Sequence, residues 1–269
     1  VQGYPLLWSV YISLTNQRIG TEGRFVGFRN YLELFSSSSF WEIMGFTLIY
    51  VGSTIVLKLF WGMIMALALN QPLKGRNLYR ALLFLPWALP TLTSVLAWRW
   101  MLGDVGGIVN YGLLQLSLID RPLGWLADPT LARFSVILVN VWRGAPFFGI
   151  SILSALQAIP DYLYEAALID GASSWQSFRH ITLPSIQNVV ALVTLVSTIW
   201  TLADFEVIWI MTRGGPANST HVFSTFSYLT AFRNLDLSKG VAISLFMVPF
   251  SLLLMILTLR FIFREEGGK

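Results

Sequence analysis

The sequence contains no cysteine, which removes disulfides, thiolate chemistry and cysteine-ligated metals together. Histidine is nearly absent, with His180 and His221 the only two. Neither belongs to a metal-ligand or nucleophile–base constellation, so no catalytic or metal-binding residue is expected. Charge is also thin: Asp, Glu, Lys and Arg make up 12% of 269 residues, where a soluble domain has about 25%. No Gly-x4-Gly-Lys-Ser/Thr phosphate loop occurs, and the nearest Gly-rich stretch, Gly103–Gly112, has no lysine. The chain itself is therefore not expected to hydrolyse ATP. No linker, low-complexity tract or long charge block divides it, so residues 1–269 read as one domain.

What the chain has is apolar length. Hydrophobic residues make up 55% of it, and they fall into six segments. The first, Val1–Thr15, begins inside an apolar run without a charged start or cleavage pattern, and reads as a truncated membrane helix rather than a signal peptide. The others are Ile43–Leu69, Arg80–Leu102, Leu131–Gln157, Gln187–Met211 and Gly240–Phe263. Each of these five exceeds the approximately 20 residues that a helix needs to cross the hydrocarbon core. Their apolar runs are continuous rather than alternating, which disfavours a barrel. Backbone groups in lipid must be satisfied within the segment, so helix follows. The expected fold is all-α: a polytopic membrane protein of six transmembrane helices. The net charge of +4 reflects basic residues flanking the spans, and no nucleic-acid partner is expected. Eleven Trp and nineteen Phe suit interfacial belts and helix packing in lipid.

Basic residues do not settle the orientation. Lys74, Arg76 and Arg80, with Arg260, Arg264 and Lys269 in the tail, stand on one side. Arg18, Arg24, Arg29, Arg121, Arg133, Arg213, Arg233 and Lys239 stand on the other. By count the positive-inside rule does not decide.

One polar insert interrupts the pattern. Pro160 suits the first turn of a helix, and Asp161 and Glu165 near that end suit the helix dipole. Asp170-Gly171 marks its close, because glycine takes the left-handed conformation that ends helices. Ser173 with Gln176 is a capping-box pattern opening a second helix, expected to stop before Pro184. Residues 158–186 thus read as helix, tight turn, helix. Trp175 and Phe178 are the bulky anchors. The residues alone leave two readings open: a hairpin packed on the chain's own helices, or one docked on another protein.

The motif Glu165-Ala166-Ala167, Asp170-Gly171-Ala172, Phe178 and Ile181-Thr182-Leu183-Pro184 resembles the EAA loop of permease subunits in binding-protein-dependent ABC importers of type I. The resemblance implies a cytoplasmic docking element, in which these residues and Trp175 meet a separate ATPase that binds ATP and Mg²⁺. It places both chain ends inside and makes Asn16–Glu42, Gly103–Thr130 and Thr212–Lys239 external. It also implies a second, homologous permease subunit, a dimer of cytoplasmic ATPase subunits and an extracytoplasmic solute-binding protein. The setting would be the lipid of a bacterial inner membrane.

Further stretches narrow the resemblance. Arg80-Ala-Leu-Leu-Phe-Leu-Pro86-Trp-Ala-Leu-Pro90, Trp98-Arg-Trp-Met-Leu-Gly, Val141-Trp142-Arg143-Gly144-Ala-Pro146-Phe147 and Gly214-Gly215-Pro216 are similar to the first permease of maltose- and glycerol-3-phosphate-type sugar importers. A sugar path needs hydrogen-bonding groups and aromatic faces at membrane depth, where polar groups face a cavity or a partner helix. Three places offer them: Trp87 and Thr91, framed by Pro86 and Pro90, which are expected to interrupt their helix; Asn140, Gly144, Phe147 and Ser151 on one helix face; and Ser197, Trp200, Thr201 and Asp204 at i, i+3, i+4 and i+7. The resemblance implies that these segments line the sugar cavity. For each residue singly, interhelical packing is an equal reading. Arg143 is expected to pair with Asp204 or Glu206, or else to hold an anionic cargo. Lys58, central in its helix, carries no expected cargo role. The competing classes are an ion-coupled carrier, a permease for a non-sugar solute and a membrane enzyme.

Overall fold

The computed structural model describes residues 3–72 and 74–266. Val1, Gln2, Leu73 and Gly267–Lys269, and with them the two ends of the expected pattern, lie outside the described residues. The described chain is helical, and its one extended pairing is an isolated bridge between Thr15 and Phe25. The order is α1 Gly3–Ser13, α2 Arg29–Phe35, α3 Ser38–Asn70, α4 Arg76–Ala88, α5 Thr91–Met101, α6 Ile108–Gln115, α7 Pro129–Leu156, α8 Asp161–Ile169 and α9 Ser174–Ser177. There follow α10 Leu183–Leu202, α11 Glu206–Met211, α12 Phe223–Tyr228, α13 Leu237–Leu245 and α14 Met247–Glu266.

Four stretches among the described residues are long and apolar enough to cross a bilayer: Ser38–Asn70, Pro129–Leu156, Ser174–Leu202 and Leu237–Ile262. A bent pair, α4 and α5, makes a fifth. At 33 residues α3 is ~50 Å long at 1.5 Å per residue, so it overreaches a ~30 Å core. The eleven residues of α1 fall short of it.

Three expectations change here. The span Arg80–Leu102, expected as a single crossing interrupted at Pro86 and Pro90, is two helices meeting at 90° across Leu89-Pro90, and α4 runs through Pro86 without a break. Leu89 is extended, with ψ 141°, as the residue before proline prefers. The stretch Gln187–Met211 also breaks: α10 ends at Leu202 and a short α11 begins at Glu206. The helix after the polar turn does not stop before Pro184. It runs on through a five-residue π turn, Phe178–Thr182, into α10. Pro184 lacks the N–H that an unbroken α-helix would use, and a local π adjustment re-satisfies the backbone around it. Leu183 N donates to Phe178 O across that wide turn.

The chain divides into two compact units. One comprises the described parts of Val1–Gly52, Thr91–Val139 and Ile199–Leu254. There α1, α2 and α12 pack on α13, and α5 packs on α11. Its core joins Leu34, Phe40, Ile43 and Phe223 to Ala242 and Ile243. The sharp turn at Gly214 (φ 87°) makes room for the imidazole of His221, which is 2% exposed and lies 3.0 Å from Thr225 Oγ1. Burial pushes the His221 pKa below the ordinary histidine value of 6.5, because a desolvated imidazolium is disfavoured. Well above pH 6.5 the ring is neutral folded or unfolded. As pH falls through that value the unfolded chain takes up the proton first, and stability is lost. The melting temperature of the purified protein is expected to drop from pH 7.5 to 5.5, less so in His221→Gln. Parallel pH slopes for the two proteins would contradict this.

The second unit comprises the described parts of Ser53–Pro90, Asn140–Thr198 and Met255–Lys269. Its core sets Ala66 and Leu69 of α3 against Phe148, Ile152 and Leu156 of α7 and Ile186 and Val193 of α10. Small residues let these helices approach closely. A Cβ on Gly62 would run into Phe148 Cβ and the Gly149 backbone, and one on Gly149 would stand 3.2 Å from Met65 Cβ.

Candidate functional site

The polar insert forms a built hairpin. Pro160 is the N-cap of α8, with ψ 135°, one residue earlier than the first-turn place expected for it. The helix closes in a Schellman arrangement: Ala172 N donates to Ala167 O at 2.9 Å and Gly171 N to Leu168 O at 3.1 Å. Gly171 adopts φ 75°, and the space where a Cβ would stand is empty. The next helix opens on the expected capping box. Ser173 Oγ accepts from Gln176 N at 3.4 Å, and Ser173 N donates to Gln176 Oε1 at 2.7 Å. Replacing Ser173 with alanine is expected to cost about 1 kcal/mol of helix stability. Amide exchange should accelerate at Trp175–Phe178 and stay unchanged in α8; unchanged rates at 175–178 would refute the cap.

Two ties root this hairpin in its unit. Tyr164 Oη and Thr182 Oγ1 stand 2.9 Å apart. Leu163, Tyr164 and Ile181 pack on the core of α3, α7 and α10. Beyond these ties, among exposed polar residues, three large apolar side chains stand open. Leu168 is 72% exposed, Ile169 86% and Trp175 67%. The Trp175 ring stacks on half-buried Phe178 at 5.6 Å between centroids. The anticipated residues Glu165, Ala166, Ala167, Asp170, Gly171, Ala172, Trp175, Phe178, Leu183 and Pro184 therefore lie together on one hairpin and its exit. Sequence reading missed Leu168 and Ile169, which sit between the motif letters. Their signal was an apolar pair beside a turn too short to bury it.

The residues anticipated for a membrane path are partly brought together. Within the second unit Trp87 of α4 and Phe147 of α7 stack, with centroids 6.2 Å apart and planes within 13°. Asn140 (8% exposed), Gly144 and Phe147 share a face of α7, which passes Pro146 without a break. Arg143 lies on the same helix, half-buried. The aliphatic end of Lys58 lies across Gly144: a Cβ there would stand 2.5 Å from Lys58 Cε and 3.1 Å from Nζ. Lys58 is 4% exposed. Its approach to the Gly144 notch was not legible in the sequence.

On α10, Ser197 (4%) and Thr201 (3%) are buried while Trp200 is 53% exposed. Asp204 does not continue that stripe, because the helix ends at Leu202. Its carboxylate accepts a 2.6 Å bond from Tyr50 Oη and a 3.3 Å bond from Val207 N at the start of α11. Thr91, half-buried, opens α5 directly after Pro90. The chemistry present on these helices is hydroxyl, amide, indole and phenyl, with buried Lys58 on α3 and half-buried Arg143 on α7. Such groups hold a polar, uncharged or anionic solute by hydrogen bonds and ring contacts, without covalent chemistry.

Comparison with known proteins places these features. Residues 58–265 match the family described as binding-protein-dependent transport system inner membrane component. The trehalose/maltose transport system permease protein MalF of Thermococcus litoralis is 37% identical over 243 residues, 90% of this chain and 81% of that one. The lactose transport system permease protein LacF of Rhizobium radiobacter is 35% identical over 86% of this chain and 78% of its own. Among solved structures, a chain of a bacterial ABC transporter that imports the acidic polysaccharide alginate superposes with TM-score 0.85 at 24% identity, covering 98% of this chain and 90% of that one. The MetNI methionine ABC transporter matches at TM-score 0.58 and 16% identity, over 87% of this chain and 97% of that one.

Proposed function

Because the chain belongs to the binding-protein-dependent transport system inner membrane component family, we propose that it forms half of the translocation path of an ATP-driven importer for a sugar or sugar derivative. It pairs with a second, homologous permease subunit. A dimer of cytoplasmic ATPase subunits holds the ATP and Mg²⁺, and an extracytoplasmic solute-binding protein delivers the cargo. The whole chain acts as one permease domain in a bacterial inner membrane, with α1 belonging to a sixth crossing.

The observation that carries this reading is the hairpin at residues 158–186. It is fixed by local caps and bonded to the membrane helices, yet it exposes Leu168, Ile169 and Trp175. Exposed apolar and aromatic groups on a rigid turn are interface anchors, and an ATPase groove is the partner that fits the family. Rigid attachment through Tyr164–Thr182 and the π turn lets closure of that groove move α10 as a body. For the cargo, support comes from the maltose and lactose permease relatives and from the chemistry of the inner faces. Trp87, Phe147 and Trp200 offer ring faces, Thr91, Ser197, Thr201 and Asn140 offer hydrogen bonds, and Gly144 gives clearance. Asp204 orders the turn after α10 through Tyr50 and Val207. Access alternates between the two sides as the ATPases close and open.

The test is reconstitution with the second permease, the ATPases and the binding protein in proteoliposomes. Uptake of a radiolabelled sugar is expected to require ATP inside the ATPase-bearing compartment. Uptake driven by an ion gradient in the absence of ATP would overturn the reading.

A further inference from the structure

The unit that holds α1, α2 and α13 contains a cavity of about 450 Å³ between segment 16–33 and the start of α13. Four basic and three acidic side chains line it. Two of the acids are already engaged. Glu33 meets Arg29 at 2.8 Å and Lys239 at 2.6 Å, and Lys239 lies 3.8 Å from Asp236. Those bonds hold the Glu33 carboxyl below the usual range, so it stays ionised near neutrality. Among the described residues no carboxylate pairs with Arg18 or Arg24, and both are exposed at the mouth of the cavity.

The frame around these arginines is fixed. Thr15 Oγ1 lies 2.9 Å from Ser238 Oγ, which also accepts from Gln17 N at 2.8 Å. Ile19 N donates to Leu235 O at 3.1 Å. Asn30, 5% exposed, donates from Nδ2 to both Ser13 O and Thr15 O. Near the cavity four apolar side chains stand open: Ile19 (41%), Phe25 (66%), Phe28 (71%) and Leu235 (51%). Unpaired arginines on a rigid concavity, among exposed aromatic and aliphatic groups, are the composition of a protein-binding hot spot. A lipid collar is disfavoured, since cations that serve the membrane gather on the cytoplasmic side and these belong to the external face in the proposed orientation.

We propose that this cavity receives an acidic side chain of the extracytoplasmic solute-binding protein, with Arg18 and Arg24 as its ion-pair partners and Phe25 and Phe28 packing around the contact. This rests on the importer reading and on its orientation. Lys239 belongs both to the cavity wall and to the first turn of α13, and Asp236 both to the wall and to the N-cap of that helix, so docking bears directly on the start of the last span.

The experiment uses the full complex in nanodiscs, with ATP hydrolysis followed against the concentration of purified, sugar-loaded binding protein at low and high salt. Arg18→Glu with Arg24→Glu is expected to raise the half-saturating concentration by about ten-fold or more, as charge reversal across an interface does. It should remove the salt dependence and leave hydrolysis without binding protein unchanged. The double lysine variant should behave almost as the unaltered complex, and Arg121→Glu on another loop should have no effect. An unchanged half-saturating concentration overturns the proposal. So does a loss confined to the maximal rate, which marks the cavity as structural. If the unaltered complex ignores its binding protein, the importer reading fails and takes the proposal with it.

Discussion

Gly171→Val is expected to uncouple the hairpin from its ATPase and to abolish most uptake while the permease still folds. The cause is the backbone rather than space. Nothing lies within 4 Å of the position a Cβ would take, but the residue sits at φ 75°. A non-glycine residue in that region loses about 1–2 kcal/mol, and a β-branched one fits worst. The strain is relieved by opening the Schellman bonds of Ala172 to Ala167 and Gly171 to Leu168. That re-aims Leu168 and Ile169 relative to Trp175, which follows the turn. An interface that depends on three anchors does not survive their separation: each ~1.4 kcal/mol is ten-fold in affinity. Co-purification of the ATPase should fall at least about ten-fold on that conversion, and ATP-dependent uptake with it. Gly171→Asn is expected to keep most of both, because asparagine tolerates the left-handed region. A fully coupled valine variant would show that the turn's conformation does not matter to docking.

The same hairpin shows what a sequence discloses. Its start, turn and cap depend on residues at most five apart, so Asp161, Gly171 and the Ser173–Gln176 pair carry their own instructions. Pro184 misled for a related reason. Its local rule is to end a helix, but the π turn at Phe178–Thr182 absorbed the missing donor. The apolar run from Arg80 to Leu102 hid a 90° bend, because hydropathy records which residues are apolar and not the direction of the chain. Pro90 marked the place, yet a kink and a right angle read alike. Asp204 looked like the fourth member of a helical stripe, and only its bonds to Tyr50, 154 residues away, and to Val207 reveal a capping role. The meeting of Lys58 with Gly144 has no local signature at all: one is an ordinary central lysine and the other a glycine in a family motif.

That meeting carries the second large expectation. Gly144→Ala should impair uptake by about ten-fold or more with little change in melting temperature, whereas Gly62→Ala should destabilise the fold. The two substitutions add the same methyl group within one unit but meet different obstacles. At Gly62 the new Cβ runs into Phe148 Cβ and the Gly149 backbone. Neither yields without parting α3 from α7, and overpacking of this kind costs about 1–3 kcal/mol. At Gly144 the obstacle is the aliphatic end of Lys58, with Cε at 2.5 Å and Cδ at 2.9 Å. A flexible side chain swings aside at small cost to stability, but the added methyl and the displaced side chain crowd the face shared by Asn140 and Phe147. On the proposed path Gly144 gives the cargo clearance at that face, and overpacking there of about 1–3 kcal/mol is roughly ten-fold or more in affinity. Thermal melting and sugar uptake measured side by side separate the cases. A Gly144→Ala protein that melts early but transports normally per folded complex would place Gly144 in the packing of α3 against α7 and outside the path.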